Sequence, residues 1–112
     1  MISINRCALT LIAKQPLLNW IHTFEEDGTI NLSNLNDDPN IYLVPENDYT
    51  YEYAKWVSNN YLSIIENEFS EWCSDKNKWP KNLSFDLFNE YYDFKISEVV
   101  YDLADNDIEK ED

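Results

Sequence analysis

The sequence predicts an α+β fold: a small, mainly antiparallel three-stranded sheet with helices on one face, in the order β-α-β-α-α-β. Three observations carry this. Ile4 to Ala13 alternates apolar and mixed positions like a strand, whereas Tyr51 to Cys73 repeats its apolar residues at helical spacing. The chain of 112 residues is 44% hydrophobic and 15% aromatic, enough to fill one core and far from the composition of a disordered chain.

The elements follow in order. In the first strand Cys7, Leu9, Leu11 and Ala13 form an apolar face, with Ile4, Arg6, Ala8, Thr10 and Ile12 on the other. Pro16 then suits the first position of a helix, where its missing N–H costs nothing. Leu17, Trp20, Ile21 and Phe24 follow at the spacing of an amphipathic helix, which "EEDG" ends, with Gly28 free to take a left-handed turn. Thr29 to Asn40 is polar and rich in Asn and Asp, the composition of a loop. "IYLVP", Ile41 to Pro45, reads as a short second strand that stops or lies at an edge because Pro45 cannot donate to a ladder.

The longest helix comes next. Tyr53, Trp56, Val57, Tyr61, Ile64, Ile65, Phe69 and Trp72 step by three, one or four residues, a helical stripe with Ser63 on the opposite, wet face. "SDKNKWPKN" links it to a shorter helix over Phe85 to Tyr91, with Ser84 as N-cap, Asp86 favouring the positive helix end, and Leu83 and Phe88 as a hydrophobic staple. The last strand is expected over Phe94 to Leu103. The domain spans residues 1–104, and 105–112 is an acidic tail expected to fray.

"ENEFSEWCSDKNKWP", Glu66 to Pro80, looks most like chemistry. Cys73 lies at the C-terminal end of the long helix among carboxylates, whereas a reactive thiolate wants a helix N-terminus, a cation or a paired histidine. The one histidine, His22, stands on the first helix, so the stretch reads as a helix end and a tryptophan-anchored linker. Two cysteines and one histidine in no ligand spacing exclude a structural zinc site, and "NDDPN" and "DNDIEKED" lack the calcium-loop pattern. A single glycine excludes glycine-rich phosphate cradles. No catalytic, cofactor-binding or metal-binding residues are therefore assigned. Glu68 is the exception worth naming. It interrupts the apolar stripe, and either reaches water at the stripe's edge, the expected arrangement, or pairs with a cation or hydrogen-bond donors.

The formal net charge is −14; six acids against Lys110 in the last eleven residues account for −5 of it, leaving −9 on the body. Such a surface repels nucleic acid and anionic membranes, attracts basic partners and serves solubility. The seven-residue apolar run between Arg6 and Lys14 is too short for a membrane span, and the distant cysteines suit a reduced, cytoplasmic setting.

"INRCALTLIAKQPLLNWI", "IYLVPE" and "WPKNLSFDLFNEYYDFKISEVVYDL" resemble, in this order and across Ile4 to Leu103, a family of small acidic bacterial proteins of uncharacterised function. The resemblance implies a bacterial, soluble, stand-alone domain and supplies no activity. Many members of that family carry a histidine where this chain has Ser97, which undercuts any catalytic role built on that histidine.

The expected function is non-enzymatic: a protein-interaction domain with an unidentified protein partner or a second copy of itself. Its interface is expected on the sheet face left open, through Ile4, Arg6, Thr10 and Ile12. The alternative is an acidic antagonist, immunity-like or anti-defence, that occupies a partner's basic cleft in the manner of nucleic acid. A small enzyme built on carboxylates alone is the third reading, and it requires a pocket that gathers them.

Overall fold

Alternation in the first strand decides the architecture. In the computed structural model, which describes residues 2–46 and 51–111, β1 (Arg6–Ala13) is the centre of an antiparallel sheet of order β2-β1-β3. Residues 1, 47–50 and 112, the last of them the end of the expected tail, lie outside the described residues. Cys7, Leu9, Leu11 and Ala13 are buried, as their shared face requires. Registers Leu9↔Tyr42 and Cys7↔Val44 to β2 (Ile41–Pro45), and Leu9↔Ile96 and Leu11↔Phe94 to β3 (Tyr92–Ser97), place those partners on the same inner face.

Helices cover that face. Helix α1 (Gln15–His22) starts with proline in its first turn and buries Leu17, Leu18, Trp20 and Ile21. It ends at Thr23, well before Gly28, whose positive φ of 67° serves the following turn instead. Phe24 lies beyond the helix but still meets Trp20 edge-on at 4.9 Å. Helix α3 (Tyr51–Trp72) sends Val57, Ile64, Ile65 and Phe69 into the core. Trp56 and Tyr61 are half-buried, and Trp72, at the helix end, is 37% exposed. In α4 (Phe85–Tyr91), Phe88 is fully buried and the Ser84 hydroxyl accepts from the Leu87 N–H, the cap its sequence foretells.

Two expectations need correction. The polar segment after Gly28 is not all loop: α2 (Leu32–Asp37) forms within it, so the order is β-α-α-β-α-α-β. Asn31 and Asn34 cap it reciprocally, each side-chain oxygen accepting from the other's backbone N–H at 2.9 Å, while Leu32 and Leu35 lean on the core. Two strands also depart from their patterns: β1 begins at Arg6 rather than Ile4, and β3 runs from Tyr92 to Ser97 rather than from Phe94 to Leu103. β1 and β3 pair from Ala13↔Tyr92 to Ala8↔Ser97, and pairing resumes only as a single bridge, Ser3↔Tyr101. Five residues separate Ala8 from Ser3 but four separate Ser97 from Tyr101, so the ladder slips by one residue. That is the signature of a bulge, which ends both strands early.

The end of the stretch, from Cys73 to Pro80, is a tied-down linker in this fold. After α3 the chain makes a 3₁₀ turn (Lys76–Lys78), with the Asp75 side chain capping it. The Trp79 indole N–H donates to the Cys73 carbonyl at 2.8 Å, and Trp20 donates to the Lys78 carbonyl at 2.9 Å. Phe69 packs between Trp20 and Trp79, with ring centroids 4.5 and 6.0 Å away. Two tryptophans thus tie the linker to the core.

Candidate functional site

Two places carry more than packing requires: the outer face of the sheet, and a crevice beside Glu68.

The register defines the outer face. Arg6 stands opposite Pro45, Ala8 between Leu43 and Ser97, Thr10 between Ile41 and Lys95, and Ile12 beside Asp93. Arg6, Thr10 and Ile12 lie where the sequence places them; Ile4 precedes the strand and joins Arg6, Leu43 and Ile108 around a surface hollow of about 530 Å3. β2 adds the residues that sequence reasoning left out. Ile41 is 54% exposed and Leu43 47%, next to Ile12 at 41%. The signal was available: "IYLVP" alternates, so its odd positions had to face away from a core claimed by Tyr42 and Val44.

Exposed hydrophobic side chains concentrate at this face and its flanks. Among the described residues, Ile12, Ile41 and Leu43 lie on the sheet, and Ile2, Val99, Tyr101, Leu103 and Ile108 on the segments that run on from it. Leu62 and Trp72 are the exposed large hydrophobics elsewhere on the described surface. The hollow near Leu43 shares Ile4 and Ile108 with a second one along the terminal segments, where Asp102, Asp105 and Asp107 also line the wall.

The second place overturns the expectation for Glu68. It is 9% exposed and held by donors rather than left unpaired at the edge of the stripe. Its Oε2 accepts from the Tyr42 hydroxyl at 2.5 Å and from the Asn40 Nδ2 amide at 2.7 Å. Asn40 also donates to Glu71 at 2.8 Å, and Asn67 donates to the Tyr42 oxygen at 3.0 Å. The cause is geometric. Tyr42 points inward from β2, and Asn40 immediately precedes that strand, so both meet the last turns of α3 where Glu68 replaces an apolar residue. Burial, with the Glu68 carboxylate next in weight, pushes the Tyr42 phenol well above its ordinary range.

Beneath this network lies Tyr92, 2% exposed, whose hydroxyl finds no hydrogen-bond partner in the protein. Burial and then the negative field of Glu68 push its phenol up as well. Cys7, by contrast, is accounted for: its sulfur lies 2.9 Å from the Tyr53 hydroxyl in the core. Cys73 is half-exposed, and its Sγ–H points to the Asp75 carbonyl at 3.6 Å. His22 is exposed with its Nε2 2.9 Å from the Ile30 carbonyl, so the cysteines and the histidine each have a local partner rather than one another.

Among the described residues no three acid, cysteine or histidine side chains converge as a metal site, and no helix is long and apolar enough to cross a membrane. No protein-family model, curated protein or solved structure matches the chain.

Proposed function

We propose that this chain is a non-enzymatic protein-interaction domain that docks a partner protein on the outer face of its sheet. The cluster of Ile12, Ile41 and Leu43 on one solvent-facing surface carries the reading, because burying such side chains is favourable by about 25 cal/mol per Å2 of apolar area. Arg6, Lys95 and Asp93 are the charges the strands place on this face, and Glu109 and Lys110 border its hollow. The occupant is a different protein rather than a second copy. Two copies would bring net charges of −14 together, whereas a partner with an apolar patch and a basic rim meets both properties. The acids of the surroundings then speed encounter and select the partner, and the aliphatic centre holds it.

The experiment is capture from cell extract by the intact protein and by Leu43→Asp and Ile41→Asp variants, with binding measured on the purified partner. The expected result is a complex that survives moderate salt, is lost in both variants, and leaves the domain's own melting temperature unchanged. A dimer of this chain in light scattering that both variants dissolve would replace the partner with a second copy. Binding that ignores both variants but collapses with salt would favour the acidic antagonist instead.

A further inference from the structure

Glu68 and Glu71 are drawn together by one amide, Asn40, which donates to both carboxylates. Neither has a cation. Among the described residues the one ion pair is Lys14–Asp93, with Asp93 on the outer side of the sheet. Asp38 stands on the same wall, so a crevice of about 250 Å3 between α2 and the end of α3 gathers three acids with Leu35, Pro39 and Trp72. Two like charges held close without compensation attract a cation strongly, more so where water is partly excluded.

The crevice continues inward. Leu35, Pro39, Glu68 and Trp72 also line a cavity of about 40 Å3, which is otherwise apolar apart from Asn36 and Tyr92. Asn36 is committed, bonding both the N–H and the carbonyl of Ala13 and the Leu32 carbonyl. Tyr92 is not: it is the buried side chain whose hydroxyl lacks a partner. The hydrogen bonds on Glu68 both fall on Oε2, leaving Oε1 free to accept. Glu68 and Tyr92 therefore share the wall of the inner cavity, with more acids at the mouth of the crevice and apolar side chains between them.

We infer that this crevice binds an alkylammonium group, its charged head between Glu68 and Tyr92 and its alkyl stem along Leu35, Pro39 and Trp72. A hard metal ion is the poorer match, since it asks for six or more oxygen ligands around one point. An ammonium has three donors on a compact head, fits a cavity that takes about one small polar group, and carries a stem that an apolar wall rewards. Lysine side chains and free aliphatic amines share this chemistry.

Nitrogen-15 NMR titration of the intact protein tests it, with n-butylammonium as probe, n-butanol as uncharged control and Nα-acetyl-lysine methylamide as the side-chain form. The Asn40 side-chain amide and the Trp72 indole signal should shift saturably with n-butylammonium and stay still with n-butanol. Glu68→Gln and Tyr92→Phe should each weaken binding about tenfold, the loss of one hydrogen bond to a charged group. Glu66→Gln, which removes the same charge from an exposed site on the same helix, should change nothing. Should Glu68→Gln fail to fold, Tyr92→Phe and Glu71→Gln supply the comparison. Response to the lysine derivative as well assigns the natural ligand to a protein side chain, and response to n-butylammonium alone assigns it to a free amine. Equal weakening by Glu66→Gln, shifts spread over the whole acidic surface, or unaltered binding in Tyr92→Phe would overturn the proposal.

Discussion

The hydrogen bond from Tyr42 to Glu68 joins β2 to α3 across 26 residues of sequence, and removing it should be felt in the stability of the fold. Tyr42→Phe deletes the hydroxyl and keeps the ring. The lost bond ends on a carboxylate, so the cost falls at about 1.5–3 kcal/mol. Two features push it toward the lower end. Asn40 still donates to the same oxygen, and Asn67, which loses its acceptor, is exposed and can turn to water. In the E68Q background the same substitution removes a bond between neutral groups, worth about 0.5–1.5 kcal/mol. The two costs should therefore differ by about 1 kcal/mol, a coupling outside the additivity of independent sites, about 0.3–0.5 kcal/mol. Urea unfolding of the four proteins, with slopes checked for constancy, measures it. If Tyr42→Phe costs the same in both backgrounds, the carboxylate is not bound by the phenol, and the account of Glu68 as a held group fails.

The raised phenols of Tyr42 and Tyr92 make stability fall at high pH: the unfolded chain loses those protons near pH 10 while the folded state keeps them, so folding is favoured below pH 10 and is lost progressively above it. Tyr42→Phe should make that decline shallower in melts taken from pH 8 to 11, and an unchanged slope would refute it. Phe69→Ala should cost about 3–5 kcal/mol, since the ring is fully buried between Trp20, Trp79 and Tyr91, while Ser63→Ala on the wet side stays within about 0.5 kcal/mol. Equal losses in urea would mean the helix is rotated. Cys7, 1% exposed, should resist iodoacetamide in the native protein at pH 8 and react only on unfolding, whereas Cys73 is open to it; rapid native labelling of Cys7, read by mass spectrometry, would contradict its place in the core.

What could be read from the sequence was whatever local period controls. The inner face of β1 follows from alternation alone, and α3 from its stripe, because each position's burial is set by the pitch of its own element. The cap at Ser84 and the bounds of α4 were equally local. α2 escaped because it is six residues long, with two leucines on its inner side and an asparagine pair in place of the usual Ser/Thr and Glu/Gln of a capping box. The ends of β1 and β3 escaped for a different reason. "ISEVVY" keeps a strand-like composition past Ser97, but a one-residue slip between the two chains stops the ladder, and slip belongs to a pair of segments rather than to either one.

The same distinction separates the two sites. The outer face was half visible, since Arg6, Thr10 and Ile12 had to leave the core once Cys7, Leu9 and Leu11 entered it. The alternation of "IYLVP" turned Ile41 and Leu43 outward, and only the pairing of β2 with β1 joined them to that face. Glu68 was visible only as an anomaly. A carboxylate within an apolar stripe is tolerated either because it escapes or because something meets it, and the choice depends on residues 26 and 28 positions away. Tyr42 and Asn40 satisfy one of its oxygens, and Glu68 shares a cavity with Tyr92, whose phenol has no partner. An apolar residue at position 68 would have closed the core more simply; holding a charge there, over a cavity and beside a second acid, is a costlier arrangement that a bound cation would repay.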